Sequence, residues 1–172
     1  MAGHLFLIGF MGAGKSTIGV LLAKKLNRPF IDLDTQIVKQ AGMTIPDIFR
    51  LDGEPAFRDL ESTLLQGLGT DADAVVATGG GVVGREANRD FMQRFGKTIY
   101  LQASWTTLKD RLGSGTGRPL AGGTEGWART HALWQQRCPL YEQADLIIST
   151  DGISAHLVVD KILVQLNHAE NK

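Results

Sequence analysis

The chain is nearly devoid of cysteine: its 172 residues include one, Cys138. A single thiol excludes an internal disulfide framework and suits a reducing compartment. Its ordinary role would be that of a small buried hydrophobe. An excess of charge of either sign is also missing, since 18 Lys and Arg balance 18 Asp and Glu. That balance disfavours a broad nucleic-acid footprint or an anionic membrane surface as partner. No apolar run reaches the roughly 18 residues of a membrane span. The N-terminal "MAGHLFLIGFMG" has neither a basic n-region nor a small-residue cleavage site, so it reads as structure and not as a signal. The four histidines, His4, His131, His156 and His168, lack metal-ligand spacing. These absences lead to the expectation of a cytoplasmic protein. Hydrophobic residues make up 43% of the chain, enough for one globular domain over 1–172 with a substantial core.

What is present is an alternation of short apolar runs with helical periods. Strands are expected at His4–Ile8, Arg28–Asp34, Ala74–Ala77, Thr98–Leu101 and Leu146–Ser149. Helices are expected at Ser16–Leu26, Thr35–Ala41, Thr44–Leu51, Glu54–Leu68, Arg85–Phe95, Thr106–Leu112, Glu125–Arg137 and Ser154–Leu166. Pro46 and Pro55 each fall in a first helical turn, where proline is tolerated. The order argues an α/β fold with a parallel sheet covered on both faces. The segment "GSGTGRPLAGGTEG" has no period and reads as a loop.

After the first strand comes "GFMGAGKST", which contains Gly9-x-x-x-x-Gly14-Lys15-Ser16, the P-loop pattern. Its glycines let backbone N–H groups converge on phosphate oxygens, and the following helix presents its positive end to the same anions. Gly12, Ala13, Gly14, Lys15, Ser16 and Thr17 form the candidate nucleotide cradle. Lys15 brings a cation to the β- and γ-phosphates, and Ser16 a hydroxyl for Mg²⁺.

Phosphate-handling enzymes often end a further strand in a metal-binding aspartate, but "VVATGGGVV" ends in Thr78 and three glycines. Gly79, Gly81 and Gly84 also match the dinucleotide pattern G-x-G-x-x-G. That reading wants an acidic residue about 20 positions on, and "LQASWTT" has none. A guanine switch would carry Asn-Lys-x-Asp, which is absent. The available carboxylates are Asp32 and Asp34 at the end of the second strand; if both stay extended, they share a face, and a pair of turn-capping aspartates is the alternative.

"GFMGAGKST", "DLD", "EPAFRDLE", "TGGG", "RPL" and "RCPLYEQAD" occur in this order over almost the whole chain, which resembles the shikimate kinase family. The resemblance implies a P-loop, nucleoside-monophosphate-kinase-like three-layer fold on a five-stranded parallel sheet. It implies transfer of the ATP γ-phosphate to the 3-hydroxyl of shikimate, a step of aromatic amino-acid biosynthesis, with Mg²⁺ as cofactor. Small-molecule substrates are the implied partners, and a monomer is expected. An acceptor-binding helical region would span about 34–61 and a lid about 112–124.

On this resemblance Lys15, Asp34 and Arg118 are the catalytic candidates, with Ser16 and Asp32 toward the metal. Asp34 would accept a hydrogen bond from the attacking hydroxyl. Arg58 and Arg137 suit the acceptor's carboxylate, because guanidinium forks match its geometry. Glu61, three residues after Arg58, would orient it; a solvated surface pair is the alternative. Gly79, Gly80 and Gly81 would form the pocket floor, bringing backbone N–H groups close to the acceptor. Phe49 and Phe57 would wall its ring or serve simply as core. Arg111 would contact the adenine or favour the end of its own helix. Arg118, in the expected lid, would neutralise the transferring phosphoryl group. Another small-metabolite kinase of this architecture, such as a gluconate kinase, is the alternative function.

Overall fold

Strand β1 (His4–Ile8) is buried at every position and lies at the centre of the sheet. A strand covered on both faces gains nothing from polar alternation, and its apolar run reflects this. The structure, a computed structural model, describes residues 3–69, 73–113 and 123–170. Four further strands complete a parallel sheet: β2 (Phe30–Asp32), β3 (Val75–Ala77), β4 (Gly96–Gln102) and β5 (Leu146–Ser149). Their order is β2-β3-β1-β4-β5. Leu7 pairs with Ala77, and Ala77 with Asp32, so the carboxyl ends of β1, β3 and β2 meet at one edge. Ligands of open parallel sheets bind at that edge.

Helix α1 (Lys15–Leu26) lies on one face of the sheet beside α8 (Ala155–Glu170), while α5 (Glu86–Phe95) contacts β1 and β4. Gly19 of α1 lets Phe30 approach: a Cβ there would lie 2.3 Å from its ring. Three more helices, α2 (Leu33–Ala41), α3 (Ile45–Leu51) and α4 (Gly53–Gln66), pack on one another around a small core of Ile37, Ile48 and Phe57. Pro46 and Pro55 sit in the first turns of α3 and α4, as expected. Helix α6 is Trp105–Gly113 and α7 is Gly123–Tyr141. Among the described residues no helix is long and apolar enough to cross a membrane.

Several boundaries differ by a few residues from those read in the sequence, and two of the differences matter for the site. The second strand stops at Asp32 and does not run to Asp34. Asp32 adopts extended angles while its side chain accepts the Thr35 N–H at 3.2 Å, the geometry of a helix N-cap. Asp34 therefore falls in the first turn of α2, so strand alternation does not relate the two acids. The second difference is at α7, which continues past Arg137 to Tyr141 with Pro139 inside it. Proline removes one donor, yet Glu142 N–H still reaches the Cys138 carbonyl at 3.0 Å and closes the last turn. Arg137 and Tyr141, four residues apart, consequently share one helix face.

Candidate active site

The loop after β1 curls back on itself before α1. Gly14 is its last residue, and φ of 95° places it in the left-handed region that glycine enters without a steric cost. No side chain caps α1, so its first amides remain available to an anion at the positive end of the helix. Lys15 Nζ donates to the carbonyls of Gly9 at 2.8 Å and Phe10 at 3.0 Å. A cleft of about 440 Å³ opens here, lined by 12–18 together with Asp32, Asp34, Thr78, Gly80, Arg111, Thr150 and Ile153.

The strand-end question posed by "VVATGGGVV" has a direct answer. Thr78 is buried, and its hydroxyl donates to the Leu7 carbonyl at 2.9 Å, fastening β3 to β1. The carboxylate that meets the P-loop hydroxyl is on the adjacent strand: Asp32 Oδ2 accepts the Ser16 hydroxyl at 2.5 Å. This pair joins one hydroxyl oxygen and one carboxylate oxygen at the cleft. Among the described residues no cluster of three or more His, Cys, Asp or Glu could hold a metal. A two-oxygen site suits Mg²⁺, which keeps most of its waters and takes further oxygens from substrate phosphates.

The three glycines serve different neighbours. A Cβ on Gly79 would lie 2.1 Å from Glu61 Oε1 and 3.2 Å from Asp34 Oδ1. One on Gly81 would lie 2.3–2.4 Å from the Arg58 guanidinium. Gly80 faces the P-loop, where its Cβ position is 3.4 Å from the Met11 nitrogen. The turn is thus a partition between the nucleotide cleft and the α4 side chains, and a side chain at Gly79 or Gly81 would force the Glu61 carboxylate or the Arg58 guanidinium to move.

Arg58 is held from two sides. Its Nη1 donates to Glu61 Oε2 at 2.9 Å, while Nε and Nη2 donate to Glu54 Oε1 at 3.2 and 3.0 Å. These bonds use three of the five guanidinium N–H groups. The guanidinium carbon also lies 5.0 Å from the Phe57 ring centroid. Burial works against the Arg58 charge, but Glu61 and Glu54 more than offset it and raise its pKa. Glu61 is fully buried, so the pair is not the surface contact that helix spacing alone allowed. Burial raises the Glu61 pKa and Asp34 adds to the rise; Arg58 and Arg137 oppose it without cancelling it. Glu61 Oε1 is buried with no hydrogen-bond partner among the described residues.

The remaining expected residues are also placed. Phe57 belongs to the small helical core and Phe49 is partly exposed, their ring centroids 4.8 Å apart. Arg137 Nη1 donates to the Gly80 carbonyl at 3.2 Å. Arg111 clamps two loops: Nη1 donates to Gly12 O at 3.2 Å and Nη2 to Thr150 O at 3.1 Å. Arg118 and most of the expected lid lie outside the described residues.

Sequence reasoning passed over three residues that belong here. Thr78 was visible at the strand end but had no assigned bond. Thr150 lines the cleft from a stretch without a motif. Tyr141 also donates its hydroxyl to the Gly80 carbonyl, and its signals were a place in "RCPLYEQAD" and a position four residues after Arg137.

A parallel sheet of this order, a lysine-bearing phosphate loop after its central strand and acids at the adjoining strand end define a P-loop phosphotransferase. Comparisons with known proteins narrow the class. The family model described as Shikimate kinase matches residues 11–167. The shikimate kinase of Synechococcus sp. (strain RCC307) is 45% identical over 164 residues, covering 95% of this chain and 84% of that protein. That of Thermodesulfovibrio yellowstonii is 40% identical, covering 98% of this chain and 97% of the relative. The solved shikimate kinase from Acinetobacter baumannii in complex with shikimate superposes with a TM-score of 0.93 at 34% identity, covering 100% of this chain and 97% of that one. A gluconokinase from Sinorhizobium meliloti 1021 shares the fold alone, at 19% identity and a TM-score of 0.59, covering 98% of this chain and 94% of that one. The chain belongs to the shikimate kinase family. It is an ATP-dependent phosphotransferase, a kinase of aromatic amino-acid biosynthesis.

Proposed function

We propose that the chain transfers the γ-phosphoryl group of ATP to the 3-hydroxyl of shikimate, with the triple-glycine turn separating donor from acceptor. Gly12, Ala13, Gly14, Lys15, Ser16 and Thr17 receive the triphosphate. Lys15 exchanges its bonds to the Gly9 and Phe10 carbonyls for phosphate oxygens as the nucleotide enters. Arg111 holds the Gly12 loop against Thr150, shaping the wall that the rest of the nucleotide meets. Ser16 and Asp32 are the oxygens that would hold Mg²⁺, which when bound neutralises charge on the phosphates.

On the acceptor side Arg58 and Arg137, with the amides of Gly79, Gly80 and Gly81, receive the shikimate carboxylate. Glu61 orients Arg58, while Phe57 supports its guanidinium and Phe49 closes the pocket edge. Asp34 accepts a hydrogen bond from the attacking hydroxyl and directs a lone pair of that oxygen at the phosphorus. Early deprotonation is unnecessary, because phosphoryl transfer depends mainly on position and charge. Arg118 completes the charge neutralisation from the lid. The protein works as a cytoplasmic monomer.

The observation carrying this assignment is Asp34. It lines the cleft shared with Lys15, yet its Oδ1 lies against Gly79 beside the Glu61 carboxylate. One carboxylate thus touches both compartments at the point where a hydroxyl would meet a phosphoryl group. An ADP-release assay with ATP and Mg²⁺, run with shikimate and separately with gluconate, tests the reading. Turnover with shikimate is expected, and turnover with gluconate alone would overturn it.

A further inference from the structure

The carbonyls of the glycine turn are all occupied. Gly79 O accepts the Val82 N–H at 3.2 Å and Gly81 O the Gly84 N–H at 3.0 Å. Gly80 O accepts two donors from α7, the Arg137 guanidinium at 3.2 Å and the Tyr141 hydroxyl. In a planar trans peptide the C=O and the following N–H point in opposite directions. With the Gly80 carbonyl drawn to α7, the Gly81 N–H points away from it, and the Arg58 guanidinium lies against the Gly81 α-carbon.

Of the two Gly–Gly peptides in this turn, Gly79–Gly80 has its carbonyl held by the Val82 N–H, so Gly80–Gly81 is the one whose carbonyl has only side-chain donors among the described residues. Glycine on both sides leaves no Cβ to oppose its rotation. A flipped peptide would present an oxygen where the acceptor's anionic group needs a donor. Arg137 alone is a weak restraint, because on the proposed assignment it must also serve the acceptor. Tyr141 has no such second duty. Its side chain is completely buried, and its ring stacks on Tyr100 of β4 at 5.1 Å and 23°. The ring can neither withdraw nor tilt without opening the core. Burial also raises its phenol pKa, so the hydroxyl remains a donor at any working pH.

We propose that Tyr141 is a positioning residue for the phosphotransfer: its hydroxyl locks the Gly80–Gly81 peptide with the N–H toward the acceptor carboxylate. The proposal rests on the acceptor being shikimate or another small carboxylate. It predicts an effect on acceptor affinity that leaves the nucleotide site untouched.

Tyr141→Phe keeps the ring stack and removes only the donor. The shikimate KM and Kd should rise about tenfold, in line with loss of one bond to a buried carbonyl. The ATP KM and kcat should stay within about threefold and Tm within a few degrees. Tyr100→Phe is the matched control, because it removes a hydroxyl from the other ring of the stack, one that lies on the Cys138 side and not against Gly80. Its shikimate KM should be unchanged. A shikimate KM within twofold of wild type in Tyr141→Phe would overturn the proposal, as would shikimate and ATP constants rising together. An equal effect from Tyr100→Phe would overturn it too.

Should Tyr141→Phe not fold, the wild-type chain carries its own reporter, since it has only two tyrosines. With 3-fluorotyrosine incorporated and signals assigned through Tyr100→Phe, shikimate should shift the Tyr141 fluorine resonance and leave that of Tyr100 in place. An unmoved Tyr141 signal at saturating shikimate would refute the lock. A wild-type enzyme that turns over no shikimate would instead refute the assigned acceptor, so the two failures are separable.

Discussion

Replacing Gly79 with alanine is the smallest change that should separate the acceptor site from the nucleotide site. The new methyl would lie 2.1 Å from Glu61 Oε1, and the carboxylate would have to retreat to at least 3.0 Å, a shift of about 1 Å. Glu61 has no solvent to move into, its side chain being 1% exposed, and its other oxygen holds Arg58 at 2.9 Å. Steric relief therefore comes at the cost of the Arg58–Glu61 bond. Loss of one partner from a buried, hydrogen-bonded charge pair costs about 2–5 kcal/mol. Even the lower end, at about 1.4 kcal/mol per decade, is roughly a 30-fold loss of kcat/KM for shikimate. Asp34, 3.2 Å from the same methyl, would be pushed as well, so kcat should fall along with affinity. The nucleotide site is built by other residues, and the ATP Kd should stay within about threefold. Steady-state kinetics with each substrate varied, together with calorimetric titration of ATP, read out both predictions. A Gly79→Ala enzyme with shikimate kcat/KM within threefold of wild type would refute the close-approach argument. ATP affinity lost in parallel would do the same, because it would mean general disorganisation.

Asp34→Asn should leave ATP binding nearly intact and lower turnover by orders of magnitude; near-normal turnover would remove Asp34 from the chemistry. Arg58→Ala should weaken shikimate binding by about 2–5 kcal/mol if it pairs with a buried carboxylate. A loss below about 1 kcal/mol in titration would reduce Arg58 to a structural partner of Glu61. Asp151, after β5 and between the cleft-lining Thr150 and Ile153, tests the pH dependence of stability. Although burial pushes its pKa upward, hydrogen bonds from the Ser104 amide, Thr107 and the Ser104 hydroxyl, with the Arg111 charge, leave it below 3.8 in the folded protein. The native carboxyl therefore binds a proton less readily than the unfolded one. Its stabilising effect is present above pH 3.8 and disappears as pH falls through the lower folded value. Thermal melts should show Asp151→Asn less stable than wild type at pH 7, with the gap closing under acid. A gap independent of pH would reject the linkage.

The parts of the fold legible in the sequence are those whose cause is local. The apolar run His4–Ile8, the glycine–lysine loop and the first-turn prolines of α3 and α4 are all readable within a few residues. The misread boundaries had causes that periodicity does not carry. Asp32 looked like a strand residue until its carboxylate was seen capping Thr35, which starts α2 two residues early. The helix expected to stop at Arg137 runs on through Pro139 to Tyr141, because Glu142 still bonds back to Cys138. In the site, residue types announced themselves and their partners did not. Arg58 and Glu61 were expected to pair, but the second carboxylate on Arg58, Glu54, was not anticipated. Burial separates a surface pair from a site pair, and burial is a property of the tertiary fold. Thr150 was invisible for the same reason, since only the packing of β5 against β4 brings it to Arg111.

The central position of β1 also bears on how the chain is made. His4–Ile8 leaves the ribosome well before its pairing partners, Val75–Ala77 and Gly96–Tyr100. At about 5–20 residues per second, synthesis of the second partner lags by roughly 5 to 20 seconds. Until Val75–Ala77 emerge the apolar first strand has no neighbour, and until Gly96–Tyr100 emerge it can pair along one edge only, so the phosphate loop it anchors has no fixed shape. Chains arrested before residue 102 should accordingly be protease-sensitive and bind no ATP, and protection and nucleotide binding should come together only once the cleft-lining Thr150 and Ile153 have also emerged. The strand that organises the finished enzyme is the one that waits longest for its partners during synthesis.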